Sequence, residues 1–113
     1  MNSSGEAVAV WEQGMDVRSK KYSPGSGWGG IEIVGLGSKP SIGIGENGQV
    51  FAVWQQSYEI WSKIYTIGRG WGGFGMISNG SLSAQYPRIA VNREGNAIAV
   101  WQQENDIWSN RYE

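Results

Sequence analysis

A chain of 113 residues is the size of one domain, and nine Lys and Arg against ten Asp and Glu leave no basic block for a nucleic-acid backbone. It has no cysteine and no histidine, which removes disulfides, thiolate metal sites and every Ser-His-Asp or Cys-His arrangement. Eighteen glycines beside seven tryptophans argue against a helical protein, because glycine weakens helix interiors, and no apolar run approaches the roughly 18 residues that a membrane helix needs.

From the N-terminus, "MNSSGEAVAV" lacks the basic start and cleavage site of a secretory signal. The chain as given reads as soluble, cytoplasmic by default and secreted if a leader has been removed; its compartment is otherwise unknown. Short runs rich in Val, Ile, Trp and Tyr follow, each bounded by Gly, Pro, Asn or Ser, as strands and turns are. "GEAVAVWEQ" at 5–13 predicts a strand over 6–12, and "DVRSKKY" one over 16–22. "SPGSGWGG" is a glycine-rich turn, followed by a strand over 31–34. "KPSIGI" predicts a strand over 41–44 and turns at "GENG" (45–48) into "GQVFAVWQQ", a strand over 49–55. "EIWSKIY" gives 59–65, "GRGWGG" is again a turn, and 74–77 is a strand. "SNGSLSAQY" is a loop, "YPRIAV" gives a strand over 88–91, and "NREG" (92–95) turns into strands over 96–102 and 106–112. A glycine at positive φ closes both short turns. The glycine-rich stretches at 23–27 and 67–70 do not precede a helix, so they are not phosphate loops.

The ten strands are one pattern repeated. Trp11, Trp54 and Trp101 are spaced by 43 and 47 residues, and so are Gly5, Gly48 and Gly95, and Tyr22, Tyr65 and Tyr112. The second spacing is longer by four residues, which the loop between Ile77 and Pro87 absorbs. Each unit reads as four strands, A to D, with B apolar on both faces: Ala97, Ala99 and Trp101 on one, Ile98 and Val100 on the other. A strand apolar on both faces is covered on both sides. Four antiparallel strands per repeat of this length make a β-propeller blade. The fold class is therefore all-β, a single repeat domain over 1–113 with about two and a half repeats: a partial blade at 5–34, a blade at 41–77 and a partial blade at 88–112.

The phrases "AVWQQ", "DIWSNRY" and "GWGG" resemble the tandem blades of a bacterial β-propeller repeat family; lectin-like propellers are only loosely similar. The first copy departs from the pattern, with Arg18 where Trp61 and Trp108 stand and Glu12 in place of Gln55 and Gln102. Most propellers close with about four to eight blades. The resemblance therefore implies open apolar faces at both ends of the chain and a ring completed by oligomerisation, most simply a homodimer of two three-blade sectors. Val8, Trp11, Ile98, Val100 and Trp101 are the expected interface residues.

Each candidate site residue has two readings. Trp11, Trp54 and Trp101 are core rather than sugar platforms, and Trp61 and Trp108 pack between blades. Trp28 and Trp71, in glycine-flanked turns, are either carbohydrate platforms, since a pyranose face stacks on a large rigid ring, or anchors folded under their own turns. Gln56 and Gln103 end strand B, where an amide either binds hydroxyls or bonds the neighbouring blade's backbone. Asp16, Glu59 and Asp106 start strand C as turn formers. The five arginines do not recur at one repeat position, unlike the clustered arginines of sialidase-type propellers, so no catalytic residue, metal or cofactor is expected. The expected function is a non-catalytic, lectin-like carbohydrate-binding module. The alternative is a structural or protein-interaction unit with no small-molecule site. Nucleic acid and membrane insertion are not expected, and a glycan and a second copy are the candidate partners.

Overall fold

A computed structural model describes residues 1–67 and 69–112. Gly68, within the 67–70 stretch considered above, and Glu113 lie outside the described residues. The described residues contain no helix and form three antiparallel sheets; no helix long and apolar enough to cross a membrane is found among them. The first sheet holds β1 (Ala7–Gln13), β2 (Asp16–Ser23), β3 (Gly27–Trp28) and β4 (Glu32–Leu36), with β3 and β4 both paired to β2. The second has the order β5 (Ser38–Ile44), β6 (Val50–Gln56), β7 (Glu59–Thr66), β8 (Gly70–Met76). The third runs β9 (Ala84–Val91), β10 (Ala97–Gln103), β11 (Asp106–Tyr112).

Turn chemistry explains the hairpins. Ser57 and Tyr58, with φ of 51° and 62°, form a two-residue loop between β6 and β7 of the kind that needs positive φ at both positions. Gly48 and Gly95, at 81° and 88°, close the turns into β6 and β10, as expected from the sequence. The register repeats as the strands do: Trp11 stands opposite Arg18, Trp54 opposite Trp61, and Trp101 opposite Trp108.

The second sheet is covered on both faces. Ala52 and Trp54 pack with Val17 and Val34 of the first sheet, joined by the partly buried Val10, Ile42, Trp61 and Trp71. Val53 and Ile60 pack with Ala84, Ala99 and Trp101 of the third, joined by Ile77 and Ile89. Five consecutive residues of β6, Val50 to Trp54, are buried. On β10 burial alternates instead. Ala97, Ala99, Trp101 and Gln103 face the second sheet, while Ile98, Val100 and Gln102 are exposed on the far side. Among the described residues, no sheet lies against the outer faces of the first and third sheets, and no ring is closed.

Several expectations need correction. Trp101 is 2 % exposed, inside the core between the second and third sheets, so it is not on an open face. Val8, by strand alternation, shares with Val10 the side of β1 turned to the second sheet, whereas Trp11 points the other way; the open faces therefore carry Trp11 at one end and Ile98 and Val100 at the other. Trp28 and Trp71 are on strands, not turns. Trp28 stands opposite Tyr22, and Trp71 opposite Tyr65. Glycine-rich segments hide this because they carry no side-chain alternation; pairing with β2 and β7 decides it. β5 and β9 start earlier than expected because each runs through a kink, where Lys39 and Tyr86 adopt φ of 52° and 58° just before Pro40 and Pro87 and the pairing register shifts. The expected strand over 31–34 is β4, shifted to Glu32–Leu36, and the short β3 precedes it in the expected turn, the two separated at Gly29–Ile31.

Candidate binding site

Two aromatic pairs repeat with nearly the same geometry. Tyr22 and Trp28 stand 5.4 Å apart at 61°, and Tyr65 and Trp71 stand 5.6 Å apart at 65°. Both are edge-to-face arrangements of the kind that the ring quadrupole favours. Their surroundings differ. Trp28 is 53 % exposed, whereas Trp71 is half-buried and its indole nitrogen is sealed from solvent with no hydrogen-bond partner among the described residues. The first sheet makes the difference. The Lys21 ammonium, which also pairs with Glu32, sits 4.0 Å from the Tyr65 ring centre and 5.6 Å from that of Trp71, within cation–π range. Tyr22 and Trp28 have no sheet in front of them to supply such a cover. Lys21 was not singled out in the sequence, although its repeat counterpart Arg111 is also a cation.

The glutamines tie sheets together. Gln103 is fully buried. Its amide oxygen accepts from the Trp101 indole N–H at 2.9 Å, and its amide nitrogen donates to the Asn79 carbonyl, beyond the end of β8, at 2.9 Å. This is the neighbouring-backbone arrangement weighed above, and it leaves Gln103 no surface from which to meet a hydroxyl. Gln56 is half-buried at the end of β6. The preceding position bonds forward: the backbone N–H of Tyr86 donates to Gln55 at 3.4 Å, and that of Lys39 to Glu12 at 3.4 Å. Both donors are the kink residues of the next sheet. Two of the acidic residues that start strand C hold the side chain two positions on. Asp16 accepts from Arg18 at 3.2 Å, and Glu59 from the Trp61 indole at 3.2 Å.

At the turn end of the stack, Ser3 and Glu46 meet. The Ser3 backbone N–H donates to the two carboxylate oxygens at 3.1 and 3.3 Å, and the Ser3 hydroxyl bonds the same group. The Ser3 hydroxyl first, and then its N–H, hold the Glu46 carboxyl below its ordinary pKa, with Arg93 adding attraction. Beside them buried Asn2 donates to the Gly45 carbonyl at 3.1 Å. No group of three or more acidic side chains that could hold a metal ion occurs among the described residues.

What the arrangement can do is present flat, partly apolar faces and strand edges. No family model matches the chain, and no curated protein matches it.

Proposed function

We propose that the chain is a non-catalytic assembly and binding unit of the β-propeller type, two copies of which join end to end and close a ring of six sheets. The observation that carries this reading is the match between its open faces and its inner interfaces. Val8 and Val10 face the second sheet; their repeat counterparts Phe51 and Val53 face the third; Ile98 and Val100, the next counterparts, are exposed. At the other end the position of Trp11 is that of Trp54 and Trp101, each covered by the sheet in front of it. One open face thus offers what the other lacks. In the ring Tyr22 and Trp28 receive the cover that Lys21 gives Tyr65 and Trp71, and Arg111 of the second copy occupies the corresponding position. An apolar end of this kind, left uncovered, favours association, and a closed ring leaves no end free. Sedimentation equilibrium tests it. The mass of two chains is expected, falling to one with Val100→Glu; a monodisperse single chain at micromolar concentration overturns it.

A second reading, a lectin-like carbohydrate platform, rests on Trp28 alone, whose indole is exposed beside the Tyr22 ring. A glycan array with wild type and Trp28→Ala separates the two. Glycan binding lost at unchanged mass supports the platform, and a lower mass supports the interface.

A further inference from the structure

The links between sheets differ in length. Gly35 and Leu36 alone connect Val34 to Gly37, whereas residues 78–83 connect Ile77 to Ala84 at the corresponding place. Both links are anchored alike: the Gly37 N–H donates to the Met15 carbonyl at 2.8 Å, and the Ala84 N–H to the Tyr58 carbonyl at 2.8 Å. The longer link makes a turn, in which the Leu82 N–H donates to the Asn79 carbonyl at 3.1 Å. That turn serves the third sheet with two carbonyls. Asn79 accepts from the Gln103 side-chain amide at 2.9 Å, and Ser83 accepts from the Glu104 N–H at 3.1 Å.

Between the first and second sheets the short link leaves the same place open. A cleft of about 490 Å³ lies there, with Met15, Leu36, Ser38, Gln56 and Ser57 in its wall. Gln56 and Ser57 are the repeat counterparts of Gln103 and Glu104. Neither the Gln56 carboxamide nor the Ser57 N–H has a partner among the described residues. Met15 and Leu36 are 82 % and 57 % exposed. A further group nearby is unsatisfied. In the first and third copies the indole N–H donates to the glutamine two positions on, Trp11 to Gln13 at 3.2 Å and Trp101 to Gln103 at 2.9 Å. Trp54 departs from this. It is fully buried and its indole N–H has no partner among the described residues, although buried polar groups are nearly always bonded.

We propose that this cleft binds an exposed, uncharged turn of another protein, one that presents main-chain carbonyls beside an aliphatic side chain. The bound turn takes the place that residues 78–83 take at the third sheet. Its carbonyls accept from the Gln56 amide and the Ser57 N–H, and its aliphatic side chain lies on Met15 and Leu36. A carboxamide both donates and accepts. With its nitrogen held by the bound turn, Gln56 directs its oxygen to the Trp54 N–H, as Gln103 does for Trp101. Binding thus removes apolar surface from water and gives a buried donor its missing acceptor. No ionised side chain lines the cleft, which favours an uncharged ligand. The cleft lies between two sheets of one chain and uses neither open face, so it does not depend on the end faces pairing.

The test titrates the capped peptide acetyl-SNGSLS-amide, the sequence of residues 78–83, into the ¹⁵N-labelled full chain and follows its spectrum. Saturable shifts are expected at the Ser57 amide, the Gln56 side-chain amide and the Trp54 indole N–H, with a dissociation constant on the order of 1 mM or below. A peptide with serine in place of leucine is expected to bind about fivefold or more weakly, because it buries less apolar surface. Gln56→Ala is expected to weaken binding by about tenfold or more and to leave the Trp54 indole resonance unmoved. Absence of saturation at about ten times that concentration, equal binding by the two peptides, binding that survives Gln56→Ala, or binding that never moves the Trp54 resonance each overturn the proposal. If Gln56→Ala does not fold, the peptide pair and the Trp54 resonance of the wild type still decide it.

Discussion

The Trp54 indole lies directly on the backbone of Gly35: a methyl group added there would stand 2.6 Å from its Cζ2 atom. Two residues on, Gly37 adopts φ 136°, and a methyl group would stand 2.2 Å from the Gln55 carbonyl oxygen. These two glycines let the first sheet approach the second. Gly35→Ala is therefore expected to lower stability by about 1–3 kcal/mol, the usual cost of overpacking, measured by urea unfolding. Gly30→Ala, where an added methyl meets nothing within 4 Å, is the control and is expected to stay within about 0.5 kcal/mol.

The tryptophans divide by cover. Trp54 is fully buried and Trp28 is half-exposed. Trp54→Ala is expected to cost about 3–5 kcal/mol, as large aromatic truncations in cores do. Trp28→Ala is expected to cost about 1 kcal/mol or less, the worth of one aromatic pair. Thermal and urea unfolding of the two variants check the order, and near-equal losses would contradict it.

Gln103 and Gln56 occupy the same repeat position in different surroundings. Gln103→Ala leaves both the buried Trp101 indole N–H and the Asn79 carbonyl without the partner they have now, and a loss of about 1–3 kcal/mol is expected. Gln56→Ala is expected to stay within about 0.5 kcal/mol. Unfolding midpoints measured side by side test this contrast.

Acid titration reports on Glu46. Its folded-state pKa lies below the ordinary carboxylate value because Ser3 bonds the charged form. Its contribution to stability is therefore present above the unfolded pKa and lost as pH falls through the folded one. The effect is small, since the group is fully exposed and water screens it. Melting temperature followed from neutral to acid pH is expected to fall slightly less for Glu46→Gln than for wild type; identical profiles would remove the Ser3 bond from the account.

Much of this stack was legible in the residues. Both faces of β6 are apolar, and its double cover followed. Spacings of 43 and 47 residues put equivalent strands in equivalent places, and each expected strand has a counterpart. Trp101 was misplaced for a reason the repeat itself contains. Residues at one repeat position point the same way along a stack, so if Trp11 faces out at one end, Trp101 must face in. Strand alternation likewise keeps Val8 and Trp11 on opposite sides of β1. The strand character of the Gly-Trp-Gly-Gly segments was hidden, because glycine pairs by backbone alone and leaves no pattern. The kinks at Lys39 and Tyr86 were hidden too, since neither residue type announces a positive φ; only their shared place before Pro40 and Pro87 marks them.

Because β6 alone is buried along its length between two neighbours while β11 borders solvent, the chain is graded from the centre outward. Backbone amides of Val50–Trp54 should exchange with deuterium only when the whole stack opens, and those of Asp106–Tyr112 through local fraying. Each core cluster joins two adjacent sheets, so each repeat added to such a chain adds one interface, and resistance to opening becomes a property of length as much as of any single side chain.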